Sequence, residues 1–314
     1  MTEVTTPRVA IIGAGAVGRG WATVAVAQGW GVTLFDATTA VAEDARAEVV
    51  ERVRRLRRMG LAQDGDAKTG LGAFHTGRSL LHAVTDADWI IDAGSDDLGQ
   101  RQRSLEQVEQ VDRRAAVITS SSNRHHASQL CARLRRPERL LCVNPLPPME
   151  FMPVVEVVPG PLTDPACVEA VRFWLRRLGR SPIVLHREVP GNLSGRLAAA
   201  VWRECIHLVL EGVIAVDDLD RAFSAGPAVA WSAAGPLLEQ YLAAGERDLN
   251  LHISDLLGAY EEWWTSLSRR ERLDADEQHR LVRALEKAYH ARLPTLRVER
   301  EQRLAALVHP ARKS

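Results

Sequence analysis

Long apolar runs, paired cysteines and an excess of either charge are all missing from this 314-residue chain. No stretch approaches the ~20 apolar residues of a membrane-spanning helix, and the opening "MTEVTTPR" lacks the apolar centre of a signal peptide. Lys plus Arg and Asp plus Glu number 40 each, so the formal net charge is zero. That balance leaves no electrostatic footprint for nucleic acid or an anionic membrane surface. The four cysteines, Cys131, Cys142, Cys167 and Cys205, include no CxxC pair. In a chain this long they read as reduced thiols of a cytoplasmic protein, not as a disulfide frame or a zinc site, and no metal site is expected.

What is present begins with short β-branched runs alternating with helix-length segments. "RVAIIG" (8–13), "GVTLFD" (31–36), "WIIDAG" (89–94), "AAVITS" (115–120), "RLLCVN" (139–144) and "VVEVV" (154–158) are strand-like. Their near-continuous apolar character suits strands buried on both faces of a parallel sheet. Residues 98–112 and 164–178 carry Leu and Val at helical spacing. Strand alternating with helix predicts a Rossmann-type, doubly wound α/β domain over residues 1–188. From 189 to 314 the strand pattern stops, and helices are expected at 194–212, 236–243, 251–267, 275–291 and 296–308, with "VDDLDRAF" between the first two. The boundary is set at "REVPGN" (187–192), where a proline and a glycine interrupt the pattern.

"VAIIGAGAVGRGWA" places Gly13, Gly15 and Gly18 in G-x-G-x-x-G spacing, directly after a strand and opening a helix. The first glycine permits the tight turn, the second lets a pyrophosphate approach the backbone, and the third allows helix to pack closely on strand. The phosphates are then expected on the helix N-terminus, at Ala16, Val17 and Gly18. The second strand ends in Asp36, 18 residues beyond Gly18. A carboxylate there accepts hydrogen bonds from the adenosine ribose and repels a 2′-phosphate, so NAD is favoured over NADP.

Taken with that loop, "DAGSDDLGQR" (92–101), "SSSNRHHASQL" (120–130), "NPLPPMEFMPVVEVVPG" (144–160) and "GRLAAAVWRECIHLVLEG" (195–212) resemble the 3-hydroxyacyl-CoA dehydrogenase superfamily. The branch they are most similar to holds the short enzymes related to L-carnitine dehydrogenase and L-gulonate 3-dehydrogenase. The stretch from "AAGP" (233–236) through "EEWWTSL" (261–267) fits that branch as well. The resemblance implies an NAD domain, a helical C-terminal domain that makes a homodimer, and a small-molecule substrate cleft between the domains. It also implies reversible oxidation of a 3-hydroxy group beside a carboxyl or thioester, with a histidine taking the proton and a glutamate orienting that histidine.

Laid on the family's pattern, the chain departs at the reacting end. Asn144 falls where the histidine belongs and Pro147 where an asparagine does, while Glu156 keeps the glutamate. Asn123 takes the place of the substrate-binding serine, and Gly195 that of the polar residue ahead of Arg196. On the cofactor side, Asp96 and Arg101 replace a glutamate and a lysine near the nicotinamide ribose, and Ser121 is expected beside them. An amide cannot accept a proton near neutral pH, though it can orient an oxygen. Glu156 is therefore the first candidate to move the proton, directly or through a water, with a strand carboxylate that merely bonds Asn144 as the plain alternative. His125 and His126 are read as a surface or packing pair at a helix start ahead of a catalytic role, Cys142 as a buried thiol, and "ERVRRLRRMG" (51–60) as a solvated helix face. Trp202, Trp231, Trp263 and Trp264 are expected in the helical core and dimer interface, Trp231 also along the substrate cleft. Two other functions stay open: an NAD-using non-redox enzyme, such as a lyase or decarboxylating one, and a silent NAD-binding dimer.

Overall fold

A computed structural model describes residues 6–63 and 70–308. Met1–Thr5, part of the opening stretch read for a leader, lie outside the described residues. Strands β1 (Val9–Ile12), β2 (Val32–Phe35), β3 (Phe74–Thr76), β4 (Trp89–Asp92), β5 (Val117–Ser120), β6 (Leu140–Pro145), β7 (Val154–Pro159) and β8 (Ser181–Val184) form one sheet in the order β3-β2-β1-β4-β5-β6-β7-β8. Neighbours run parallel except β6 and β7, which are antiparallel. Chain order reverses between β1 and β4, the switch point at which open α/β sheets gather ligands outside the carboxyl ends of their strands.

Period-two alternation builds a core on each face of the sheet. Val9, Ile11, Leu34, Ile91, Val143 and Val157 face α1 (Ala16–Ala27), α2 (Thr39–Arg58) and a helix described below. Ala10, Ile12, Ile90, Ile118, Cys142 and Val158 face α3 (Leu80–Val84), α4 (Leu98–Val111) and α5 (Ala127–Leu130). The helix that completes the first layer is α6 (Pro165–Arg177), which brings Val171, Leu175 and Trp174 inward. Trp174 stacks on Trp89 at 5.5 Å, and Trp21 meets Trp89 edge-on at 5.8 Å.

The chain then turns helical: α7 (Asn192–Leu210), α8 (Val216–Ala225), α9 (Pro227–Ala234), α10 (Pro236–Ala244), α11 (Leu249–Ser266), α12 (Ala275–Tyr289) and α13 (Leu293–Val308). Two compact units result: Met1–Arg196 together with Arg300–Ser314, and Leu197–Glu299. The division falls inside α7, a few residues beyond the expected boundary, and the end of α13 belongs to the sheet unit. There Leu304 and Ala305 pack on the first-layer core, and Glu301 pairs with Arg55 at 3.0 Å.

Within Leu197–Glu299 the buried apolar side chains are Leu210, Val216 and Ala244. Trp202 is 65% exposed, Trp263 56%, Trp264 52% and Trp231 40%, which corrects the expectation that they fill a helical core. In one chain they lie on its surface. Among the described residues no helix is long and apolar enough to cross a membrane.

Candidate active site

The glycine loop shows why each glycine is there. Gly13 has φ +105°, and a Cβ on it would stand 2.5 Å from the Ala93 carbonyl oxygen, so a side chain would push β1 and β4 apart. A Cβ on Gly18 would lie 1.9 Å from the Gly13 carbonyl oxygen. Gly15 is the opposite case: its Cβ would meet nothing within 4 Å. That open space adjoins the start of α1, where Ala16 and Val17 are exposed and no side chain caps the helix. By contrast α4, α6, α11 and α12 are capped by Asp97, Asp164, Asp248 and Asp274. Uncapped N–H groups and the positive end of the helix dipole beside a cleared space fit the pyrophosphate of a dinucleotide. Asp36 closes the end of β2, its carboxylate accepting from Ala14 N–H at 3.0 Å and Thr38 N–H at 2.9 Å.

Arg101 is turned inward, 2% exposed at the carboxyl end of the sheet. Its Nε lies 3.1 Å from Asp92 Oδ2, and its Nη groups donate to Gly94 O at 2.9 Å and Ser121 O at 3.3 Å. Asp92 also accepts from Ser120 Oγ at 2.6 Å, while its burial pushes the carboxyl up from the usual range against the pull of Arg101. The guanidinium thus ties the loop after β4 to the loop after β5. Ser121 Oγ is engaged twice by the protein, accepting from Trp21 Nε1 at 2.8 Å and donating to Val143 O at 2.9 Å. His125 Nε2 lies 2.7 Å from the Asp96 carbonyl oxygen, and His126 caps α5 with Gln129. Both histidines therefore hold loops.

At the same carboxyl end of the sheet, two strands further along, Asn144 and Glu156 stand directly opposite each other in the β6–β7 ladder, so both project on the α4 face. Asn144 is 4% exposed and Glu156 3%. They do not bond each other as the plain alternative required. Asn144 Nδ2 has no partner, whereas Glu156 Oε1 accepts from Ser194 N–H at 2.5 Å and Ser194 Oγ at 2.7 Å. Asn123, exposed at the tip of the loop after β5, accepts from Asn192 Nδ2 at 3.4 Å. Sequence reasoning missed Ser194 and Asn192; a serine in the first turn of an expected helix was the available signal.

A family model described as the NAD-binding domain of 3-hydroxyacyl-CoA dehydrogenase matches residues 8–189. The chain belongs to the 3-hydroxyacyl-CoA dehydrogenase family. Its relatives include the L-carnitine dehydrogenase of Streptomyces griseus, 33% identical over 84% of this chain and 78% of that one. That of Nocardiopsis dassonvillei is 31% identical over 96% of this chain and 92% of its own. A 5-formyl-3-hydroxy-2-methylpyridine 4-carboxylic acid 5-dehydrogenase, described as an NAD+-dependent dismutase, shares the fold at TM-score 0.80 and 24% identity, covering 96% and 97% of the two chains. The 3-hydroxyacyl-CoA dehydrogenase of Archaeoglobus fulgidus superposes at TM-score 0.65, also 24% identical, over 96% and 99%. NAD is accordingly the cofactor of this 3-hydroxyacyl-CoA dehydrogenase family member.

Two expectations for the family member concern groups away from the cofactor. Burial pushes the Cys142 thiol up to about 12, so it stays a neutral, inert group. In the basic run on α2, Arg52, Arg54 and Arg55 are held by Glu48 and Glu150, Glu51, and Glu301. That charge is answered by the protein's own carboxylates.

For this dehydrogenase family member, Asp36→Ala is expected to weaken NADH binding roughly 10–100-fold, the worth of hydrogen bonds to a charged acceptor. NADPH, freed of the carboxylate's repulsion, should lose less. Fluorescence titration with both nucleotides reads the change, and an unaltered preference would remove Asp36 from the ribose site.

Proposed function

We propose that the protein is an NAD-dependent dehydrogenase of a small 3-hydroxy carboxylic acid or its keto or imine counterpart, with Glu156 as proton acceptor in place of a histidine. The observation that carries this reading is a buried carboxylate at the reacting end of an intact dinucleotide fold, with no histidine hydrogen-bonded to it among the described residues. Gly13, Gly15, Gly18, the N–H groups of Ala16 and Val17, and Asp36 would hold the cofactor. Asp96 and Ser121 belong to the loops that would frame its nicotinamide end, and Arg101 ties those loops together. Bound NAD+ supplies the hydride acceptor. The chain's own residues supply the rest: the exposed amide of Asn123 orients the substrate oxygens, Asn144 stands buried opposite Glu156, and Glu156 takes the hydroxyl proton.

The thin core of Leu197–Glu299 supports a homodimer. About a hundred residues with three buried apolar side chains fall well short of what a stable unit needs, while Trp202, Leu237, Tyr241 and Trp263 are more than half exposed. Four free thiols support a cytoplasmic setting.

The test follows nicotinamide absorbance across 3-hydroxy acids, their coenzyme A thioesters, L-carnitine and L-gulonate. Oxidation of any member with NAD+ is the expected result. NADH binding without turnover of any member would favour the silent-dimer reading, and product without change in NADH would favour a non-redox one.

A further inference from the structure

The dehydrogenase reading leaves a gap: Glu156 is 3% exposed, so a substrate hydroxyl cannot touch it directly. Ser194 fills that gap. It sits half-buried in the first turn of α7, more open than the carboxylate it bonds, with Oγ 2.7 Å from Glu156 Oε1. Gly195, which follows it, is exposed. Across the ladder from Glu156, the unpartnered Nδ2 of Asn144 offers a spare donor nine-tenths buried at the same spot. A carboxylate used only to cap α7 would be satisfied by the Ser194 N–H at 2.5 Å and would explain neither the second bond from Ser194 Oγ nor the orphaned amide.

We infer that Ser194 is a catalytic residue, relaying the substrate proton to Glu156. This rests on the dehydrogenase reading and deepens it. In the oxidation direction the substrate O–H proton passes to Ser194 Oγ while the Ser194 proton passes to Glu156 Oε1. Serine ends as it began, and one proton is left on the carboxylate. The electron pair of the substrate C–H bond leaves with the hydride, which NAD+ accepts, and the carbon–oxygen single bond becomes a carbonyl. Serine has no useful basicity alone, so both transfers belong to one concerted step driven by the carboxylate.

The experiment uses the full chain and the substrate panel above. Ser194→Ala removes the hydroxyl but keeps the N–H that orients Glu156. It is expected to lower kcat by roughly 10²-fold, the lower end of what a general acid–base group contributes. KM, the NADH dissociation constant by fluorescence and the thermal midpoint should hold. Ser194→Thr, which restores the hydroxyl, should recover most of the loss. The double variant with Glu156→Gln should lose no more than Glu156→Gln alone, because both belong to one relay. Unchanged kcat in Ser194→Ala, or a loss seen only as a lower thermal midpoint, would overturn the relay and leave the dehydrogenase reading standing. A wild type that binds NADH and oxidises no member of the panel overturns both.

Discussion

Glu156→Gln is expected to lower kcat/KM for the oxidised substrate by roughly 10²–10⁴-fold, the contribution of a positioned general base. The side chains have the same shape, so Gln keeps an oxygen for the Ser194 N–H and the start of α7 stays in place. What changes is the ability to end the reaction holding a proton. The carboxylate is 3% exposed and belongs to β7, whereas the glycine loop belongs to β1 and α1, so NADH affinity should not follow the rate. Stopped-flow reduction of NAD+ together with a fluorescence titration separates the two. A variant that retains its rate would send the search for the proton acceptor elsewhere.

The largest expected loss of stability comes from Arg101→Met. Arg101 and Asp92 are 2% and 1% exposed, and Arg101 also holds the carbonyls of Gly94 and Ser121. Methionine fills much of the volume but leaves Asp92 charged with no counter-ion. Breaking one side of a buried pair costs about 3–5 kcal/mol, or about 6–20 °C in the thermal midpoint of a unit this size. The sign of its pH dependence follows from Asp92. Its carboxyl is already raised by burial, and loss of Arg101 raises it further. A carboxyl raised in the folded state penalises folding above its folded-state value, and the penalty fades as pH falls through that value. The variant's deficit in urea unfolding should therefore shrink toward acid pH, and a second change, Asp92→Asn, should recover part of it at neutral pH. A deficit that is flat with pH would mean that packing, not charge, sets the loss.

Much of this architecture could be read from the chain. The glycine loop, Asp36 and six strands carried local signals of spacing and apolar run. β3 and β8 did not: β3 has one buried side chain in three, and along β8 Ser181 and Ile183 are exposed while Pro182 and Val184 are only half-buried. The antiparallel turn from β6 to β7 was legible in principle, since the eight residues 146–153 are too few for a crossover helix. Within the site, Glu156 announced itself as a lone carboxylate in an apolar strand, but Ser194 could not. Its partner lies 38 residues away, and only the arrival of α7 beside β7 brings them together.

The return of α13 to the sheet unit carries a consequence for biosynthesis. Residues up to Arg196 leave the ribosome before the helices that follow them and hold the eight strands of the sheet, yet their core is still open where Leu304 and Ala305 will pack. The segment that closes it is made only after the helices between. The nascent sheet unit therefore waits, incomplete, until those helices and the end of α13 have emerged, with its first-layer apolar surface exposed to chaperones through that interval.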